Sequence, residues 1–205
     1  MKHPKPPAAS SSSTPRDAVM RRTVPVVVTA AAMSFVAVAF AMGARDTLSR
    51  TRDGACKALE PDPMPAAIVD GNPPEFQLPD AGGKTVSLAA QRGHPVMLNF
   101  WATWCPPCVD EIPALEDLAR RIDGTDLRLL AVSVDETWDV VRRFFARGTR
   151  IGVLHDASKE LPKKYGTEKY PETFLIDAKG KVRYFFANKR DWTRPETIAC
   201  LESLR

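Results

Sequence analysis

Histidine is scarce in this chain, three residues in 205, and no two of them stand at a spacing that would clamp a metal ion. Cysteine is scarce too: of four, only Cys105 and Cys108 form a CxxC motif. A structural zinc site needs four ligands, ordinarily a second CxxC or a histidine pair. Cys56, Cys200, His3, His94 and His155 supply neither, so a zinc reading of the motif lacks its second half. Excess charge is also missing beyond the N-terminus. Lys2, Lys5, Arg16, Arg21 and Arg22 against Asp17 account for the whole net charge of +4, leaving 24 basic and 24 acidic residues downstream. The basic balance therefore belongs to the leading tail and gives no support for nucleic-acid binding by the rest. There are no internal repeats.

What is present is an apolar run, His94-Pro-Val-Met-Leu-Asn-Phe-Trp-Ala-Thr-Trp, that ends in Cys105-Pro-Pro-Cys108. The run has the length and composition of a buried strand. Beyond it, apolar residues at 109, 112, 115, 118, 119 and 122 recur at helical spacing. Cys105 thus falls where a strand gives way to a helix N-terminus, and there unpaired amides and the helix dipole favour a thiolate. Cys108, one turn on, is placed to attack a mixed disulfide at Cys105 and release the product. Pro106 and Pro107 occupy the first helical turn, where proline is harmless, and each removes an amide that could have stabilised the thiolate. With no histidine in the loop, a moderately lowered thiol pKa is expected. The couple should be reducing, nearer thioredoxin at about −270 mV than DsbA at about −120 mV.

The stretch Trp101-Ala-Thr-Trp-Cys-Pro-Pro-Cys-Val-Asp-Glu111, followed far downstream by Tyr170-Pro-Glu-Thr-Phe-Leu-Ile-Asp177, resembles the thioredoxin superfamily. More narrowly it resembles the TlpA/ResA type of membrane-anchored thiol–disulfide oxidoreductases, over a region from about Pro74 to the C-terminus. The resemblance implies that Cys105 is the nucleophile and Cys108 the resolving thiol. It implies a cis Pro171 facing them, with the backbone of Tyr170 as an edge for a client chain. Trp104 and Pro106 would complete the client-binding surface, Trp104 as an exposed platform, while Trp101 is expected in the core. Glu111, three residues beyond Cys108, lies on its face of the helix; the dipole alone favours an acid there, and the resemblance adds a proton-shuttling role. The TlpA-like branch can carry a second, structural disulfide, which would here join Cys56 to Cys200; two unrelated thiols are the alternative. Glu172, next to Pro171, reads as a solvated strand-edge charge, with tuning of partner choice as the alternative, and Thr173 as packed in its strand. His94 and His155 read as structural or solvent-facing.

Residues 1–23 are polar and proline-rich and read as a disordered cytoplasmic tail. Residues 24–44 are uncharged, long enough to span a bilayer, and preceded by Arg21-Arg22. Ala39-Phe-Ala41 offers a cleavage site, but the long leader and full spanning length favour a retained signal anchor. Residues 45–73 form a juxtamembrane segment and linker, with five prolines between Glu60 and Pro74. Arg45, Arg50, Arg52 and Lys57 nearly balance the positive-inside count, so orientation, with the domain in the periplasm or another extracytoplasmic space, rests mainly on the resemblance.

From residue 74 to 205 the pattern predicts an α/β domain with a mixed central sheet. Phe76–Leu78 and Thr85–Leu88 flank Asp80-Ala-Gly-Gly83 as an N-terminal hairpin. Strands are expected at 95–101, 127–134, 152–154, 172–177 and 181–187, and helices at 106–122, near 137–147, near 158–165 and at 193–204. The 62 residues between Cys108 and Pro171 exceed a minimal thioredoxin fold, and the resemblance to the TlpA/ResA type implies that the helix near 137–147 and its adjacent strand are the extra unit of those relatives.

Three functions compete. The first is a membrane-tethered reductant of client disulfides with no cofactor. It would be fed by a membrane thiol reductant of the DsbD/CcdA kind, with apocytochrome c or an oxidase assembly factor as client. The second is a Cu(I) metallochaperone using the same cysteine pair. The third, a peroxidase, fits least, because Thr103 stands two rather than three residues before Cys105.

Overall fold

The computed structural model describes residues 54–205. The tail expected at 1–23, the anchor expected at 24–44 and the start of the segment expected to follow it lie outside the described residues. Among the described residues, no helix is long and apolar enough to cross a membrane.

A central sheet of five strands has the order β5-β4-β3-β6-β7: β3 Val96–Trp101, β4 Arg128–Ser133, β5 Gly152–His155, β6 Glu172–Ile176 and β7 Val182–Ala187. β3 pairs parallel with β4 and antiparallel with β6; β4–β5 is parallel and β6–β7 antiparallel. The sheet is therefore mixed. A separate hairpin, β1 Gln77–Pro79 with β2 Thr85–Ser87, precedes it. Helices are α1 (the helical residues 54–58), α2 Pro106–Arg121, α3 Trp138–Phe144, α4 Glu160–Tyr165 and α5 Pro195–Ser203. α3 and β5 form the helix–strand insertion between α2 and the strand that follows Pro171.

Strand alternation splits the core into two layers. Met97 and Trp101 of β3 face one layer with Leu115 and Leu118 of α2, Val141 of α3, and Cys200 and Leu201 of α5. Leu98 and Phe100 face the other, with Leu161 and Tyr165 of α4 and Phe174 of β6. Phe100, Tyr165 and Phe174 meet there edge to face, at centroid distances of 5.0–5.9 Å. Every residue of β3 is buried, which accounts for its apolar composition.

The proline-rich residues 60–74 lie against the fold. Asp62 bridges β7 at Phe185, and Ile68 is buried in the second layer. Upstream, Cys56 is joined to Cys200 of α5 by a disulfide with the Cα atoms 4.6 Å apart.

Glu172 corrects a sequence expectation. Read as a solvated edge charge, it is only 3% exposed, because β6 lies between β3 and β7 with both faces covered. Burial is the main cause that pushes its carboxyl from the ordinary 4.5 to about 7.

Two outcomes follow from this packing. Closing a loop across a separation of 144 residues, the Cys56–Cys200 bridge is worth about 4–5 kcal/mol in the chain-entropy model. The double variant Cys56→Ala/Cys200→Ala should lose stability of that order in urea unfolding. For Glu172, the folded state keeps a proton that the unfolded chain releases above about 4.5. Its contribution is therefore fully present below that pH and is lost as pH rises through about 7. Glu172→Gln should flatten the fall in stability between pH 5 and 8, read from unfolding midpoints across that range.

Candidate active site

β3 ends at Trp101, and the chain turns through Ala102–Trp104 into α2. The turn is held by Asp135, just past β4. Its carboxylate accepts hydrogen bonds from the Thr103 amide at 3.0 Å, the Thr103 hydroxyl at 2.7 Å and the Ser133 hydroxyl at 2.8 Å. The backbone carbonyl of Asp135 is 2.8 Å from His155 Nε2, which gives that buried histidine a structural place. His94 Nδ1 similarly meets the Asp126 carbonyl at 3.1 Å.

Cys105 is the N-cap of α2, in extended conformation with φ −98° and ψ 105°. Pro106 and Pro107 begin the helix, as the motif predicts, and supply no amide. The first amide that can reach the sulfur is that of Cys108, which donates to Cys105 Sγ at 3.3 Å. Cys105 and Cys108 are joined in a disulfide. Cys105 is 5% exposed and Cys108 1%, so the outer sulfur is the one a partner can approach.

Across from it the Tyr170–Pro171 peptide bond is cis. The Tyr170 carbonyl oxygen lies 3.4 Å from Cys105 Sγ. The structure therefore brings Tyr170, 65 residues away in sequence from Cys105, and Pro171 after it to the redox pair. Trp104 is 58% exposed, its ring edge-to-face with Tyr170 at 5.9 Å and the Lys159 ammonium 5.7 Å from its centroid. Pro106 is exposed beside it, whereas Trp101 is buried in the core. Trp104, Pro106 and Tyr170 thus form a rim around Cys105 with both apolar and backbone polar character.

Glu111 lies one turn below Cys108 and is 2% exposed. Burial pushes its carboxyl from 4.5 to about 7, against three donors that favour the charge: the Arg190 amide at 2.8 Å, Trp192 Nε1 at 2.7 Å and Asn99 Nδ2 at 3.2 Å. Asn99 also donates to the Thr173 hydroxyl at 2.9 Å, which gives Thr173 a place in the network. A carboxyl that is half ionised near neutral pH, behind a buried thiol, can take up and return a proton there.

Sequence reasoning did not find Asn99, Asp135, Arg190 or Trp192. Asn99 carried a signal: it is the one amide side chain inside an otherwise apolar strand. The other three come from distant loops and carried none. Among the described residues, no group of three or more His, Cys, Asp or Glu is placed to hold a metal ion.

Comparison with known proteins agrees with this geometry. Residues 69–185 match the model of the AhpC/TSA family, leaving α5 outside the match. Thiol-disulfide oxidoreductase ResA of Geobacillus thermodenitrificans is 37% identical over 141 residues, covering 68% of this chain and 80% of the relative. ResA of Bacillus subtilis is 34% identical over 110 residues, covering 53% of this chain and 62% of the relative. Among solved structures, a thiol:disulfide interchange protein of the thioredoxin family from Chlorobium tepidum superposes with a TM-score of 0.56 at 26% identity, covering 68% of this chain and 99% of its own. The pneumococcal exposed lipoprotein thioredoxin from Streptococcus pneumoniae gives 0.53 at 28%, covering 64% and 98%. The chain belongs to the AhpC/TSA family, within its thioredoxin-fold thiol–disulfide oxidoreductases of the ResA type.

Proposed function

We propose that the protein is a membrane-tethered, extracytoplasmic reductant of client disulfides. The observation that carries this reading is Cys105 Sγ at a helix N-terminus with a single amide donor, 3.4 Å from the Tyr170 carbonyl that precedes the cis proline. In the dithiol form, the Cys105 thiolate attacks a client disulfide, forming a mixed disulfide and expelling a client thiolate that takes up a proton. Cys108, deprotonated toward Glu111, then attacks Cys105 Sγ, releasing the second client thiolate and leaving the Cys105–Cys108 disulfide. Two electrons pass to the client, and a membrane thiol reductant of the DsbD/CcdA kind would restore the dithiol. The client strand would run beside Tyr170 and Pro171, with Trp104 and Pro106 as the apolar contact.

Chemistry chooses the client class. One amide on the sulfur, where a proline-free turn would offer more, leaves the thiolate modestly stabilised and the couple reducing. Reduction outside the cytoplasm serves proteins whose cysteines must stay free to receive haem or metal. Apocytochrome c is the first such client and an oxidase assembly factor the second. Location rests on the apolar run at 24–44 and on the Cys56–Cys200 bridge, which suits an oxidising compartment.

Trapping with Cys108→Ala should accumulate mixed disulfides through Cys105 to proteins that carry haem-site or metal-site cysteines. Recovery of no such adduct from membranes would defeat the reading. The resolving step should accelerate as pH rises through about 7, where Glu111 ionises. Glu111→Gln should abolish that inflection and slow resolution by about 10²-fold in stopped-flow thiol exchange. An unchanged pH–rate profile would remove Glu111 from the reaction.

A further inference from the structure

The two strongest donors to Glu111, the Arg190 amide and the Trp192 indole, both come from the loop between β7 and α5. That loop turns through Asn188 in the left-handed region at φ 64°, a conformation asparagine adopts more readily than other side chains. The Arg190 guanidinium folds back on its own loop, donating to the Ala187 carbonyl at 2.8 Å and lying over the Phe186 ring at 5.9 Å. Its Nη1 also meets the Lys189 carbonyl at 3.3 Å, and its partner outside the loop is Asp62. Asp62 Oδ2 accepts from Arg190 Nη2 at 2.8 Å and from the Ala187 amide at 2.7 Å, and the Asp62 amide donates to the Phe185 carbonyl at 2.8 Å.

Asp62 belongs to the proline-rich segment, six residues beyond Cys56. The segment is thus pinned at both ends of this contact: covalently to α5 through Cys56–Cys200, and by three hydrogen bonds to the end of β7 and the loop that follows. We infer that Asp62 is a positioning residue for the redox site, holding the 187–192 loop so that Arg190 and Trp192 keep their hydrogen bonds to Glu111. The segment read as a spacer would then set the proton affinity of the group behind Cys108. This rests on Glu111 serving the thiol pair.

Opposite signs separate this role from a bare charge effect. Asp62 is an anion beside Arg190, and Arg190 is a cation that favours the Glu111 carboxylate. Removing the Asp62 charge alone would leave Arg190 less neutralised and lower the Glu111 pKa. Loosening the loop removes two hydrogen bonds that favour the carboxylate and raises it. The other groups around Glu111 are Asn99 on β3, Thr173 on β6 and Cys108 on its own helix; Asp110 is engaged outside by Lys189 at 2.9 Å.

The test is a carboxyl carbon NMR titration of the full-length chain labelled with carbon-13 glutamate, in the disulfide form, with the Glu111 signal assigned by its loss in Glu111→Gln. In Asp62→Ala the midpoint should rise by about half a pH unit or more, about threefold in the dissociation constant, whereas Asp62→Asn, which removes the charge and keeps an acceptor oxygen, should show no such rise. If Asp62→Ala lacks a cooperative unfolding transition, Asp62→Ser, which removes the same acceptor reach, decides by the same rise. In the alanine or serine variant, a midpoint that is unmoved or falls overturns the inference. The titration reads Glu111 directly, so it stands apart from the pH–rate profile of Glu111→Gln, which judges the catalytic role.

Discussion

The constraint on which the molecule depends is the junction where a fully buried strand must become a helix within four residues. β3 is fixed from both sides, by β4 and β6, so its end cannot move. The turn after it is clamped by the Asp135 carboxylate, and the helix starts on two prolines whose φ is preset. Cys105 therefore occupies the cap position with its sulfur aimed at the one available amide. Because β6 pairs directly with β3, the peptide bond before β6 arrives opposite that sulfur. The redox pair and the Tyr170–Pro171 backbone opposite it are consequences of the same strand pairing.

A second consequence is that the site sits over a buried carboxylate rather than over apolar core alone. Removing Glu111 from water disfavours its charge, and three donors restore part of the loss. The balance leaves the group titrating near neutrality, where a proton acceptor for a thiol is most useful. The donors come from β3 and from the loop between β7 and α5, so the balance is a property of the tertiary fold. Residues 54–62 are tied to that same loop by the Asp62–Arg190 ion pair and to α5 by the Cys56–Cys200 disulfide, which links this segment to the surroundings of the buried carboxyl.

Much of the fold was legible because it is locally encoded. The CxxC boundary and the hairpin around Asp80–Gly83 each follow from composition and period over ten or so residues, whereas the helix near 137–147 and its strand were placed as an insertion through the resemblance. The cis proline was legible only through resemblance, since one proline in a sequence carries no such signal. The Cys56–Cys200 pairing came the same way. Glu172 was misread because charge at a strand start ordinarily marks an edge, whereas β6 is interior. The packing of Asp62 and Ile68 was not legible at all: prolines say that a chain is extended, not what it lies against. Arg190 and Trp192 gave no signal because their partner is 79 to 81 residues away.

The account stands on the difference between two sulfurs three residues apart. Its most direct test is the pH dependence of alkylation in the fully reduced, folded protein, with mass spectrometry locating the label. Cys105 should react first, with a midpoint below the roughly 8.5 of an ordinary thiol, and Cys108 should remain protected until the protein unfolds. A Cys105 that resists the reagent, or a Cys108 that reacts ahead of it, would contradict the account.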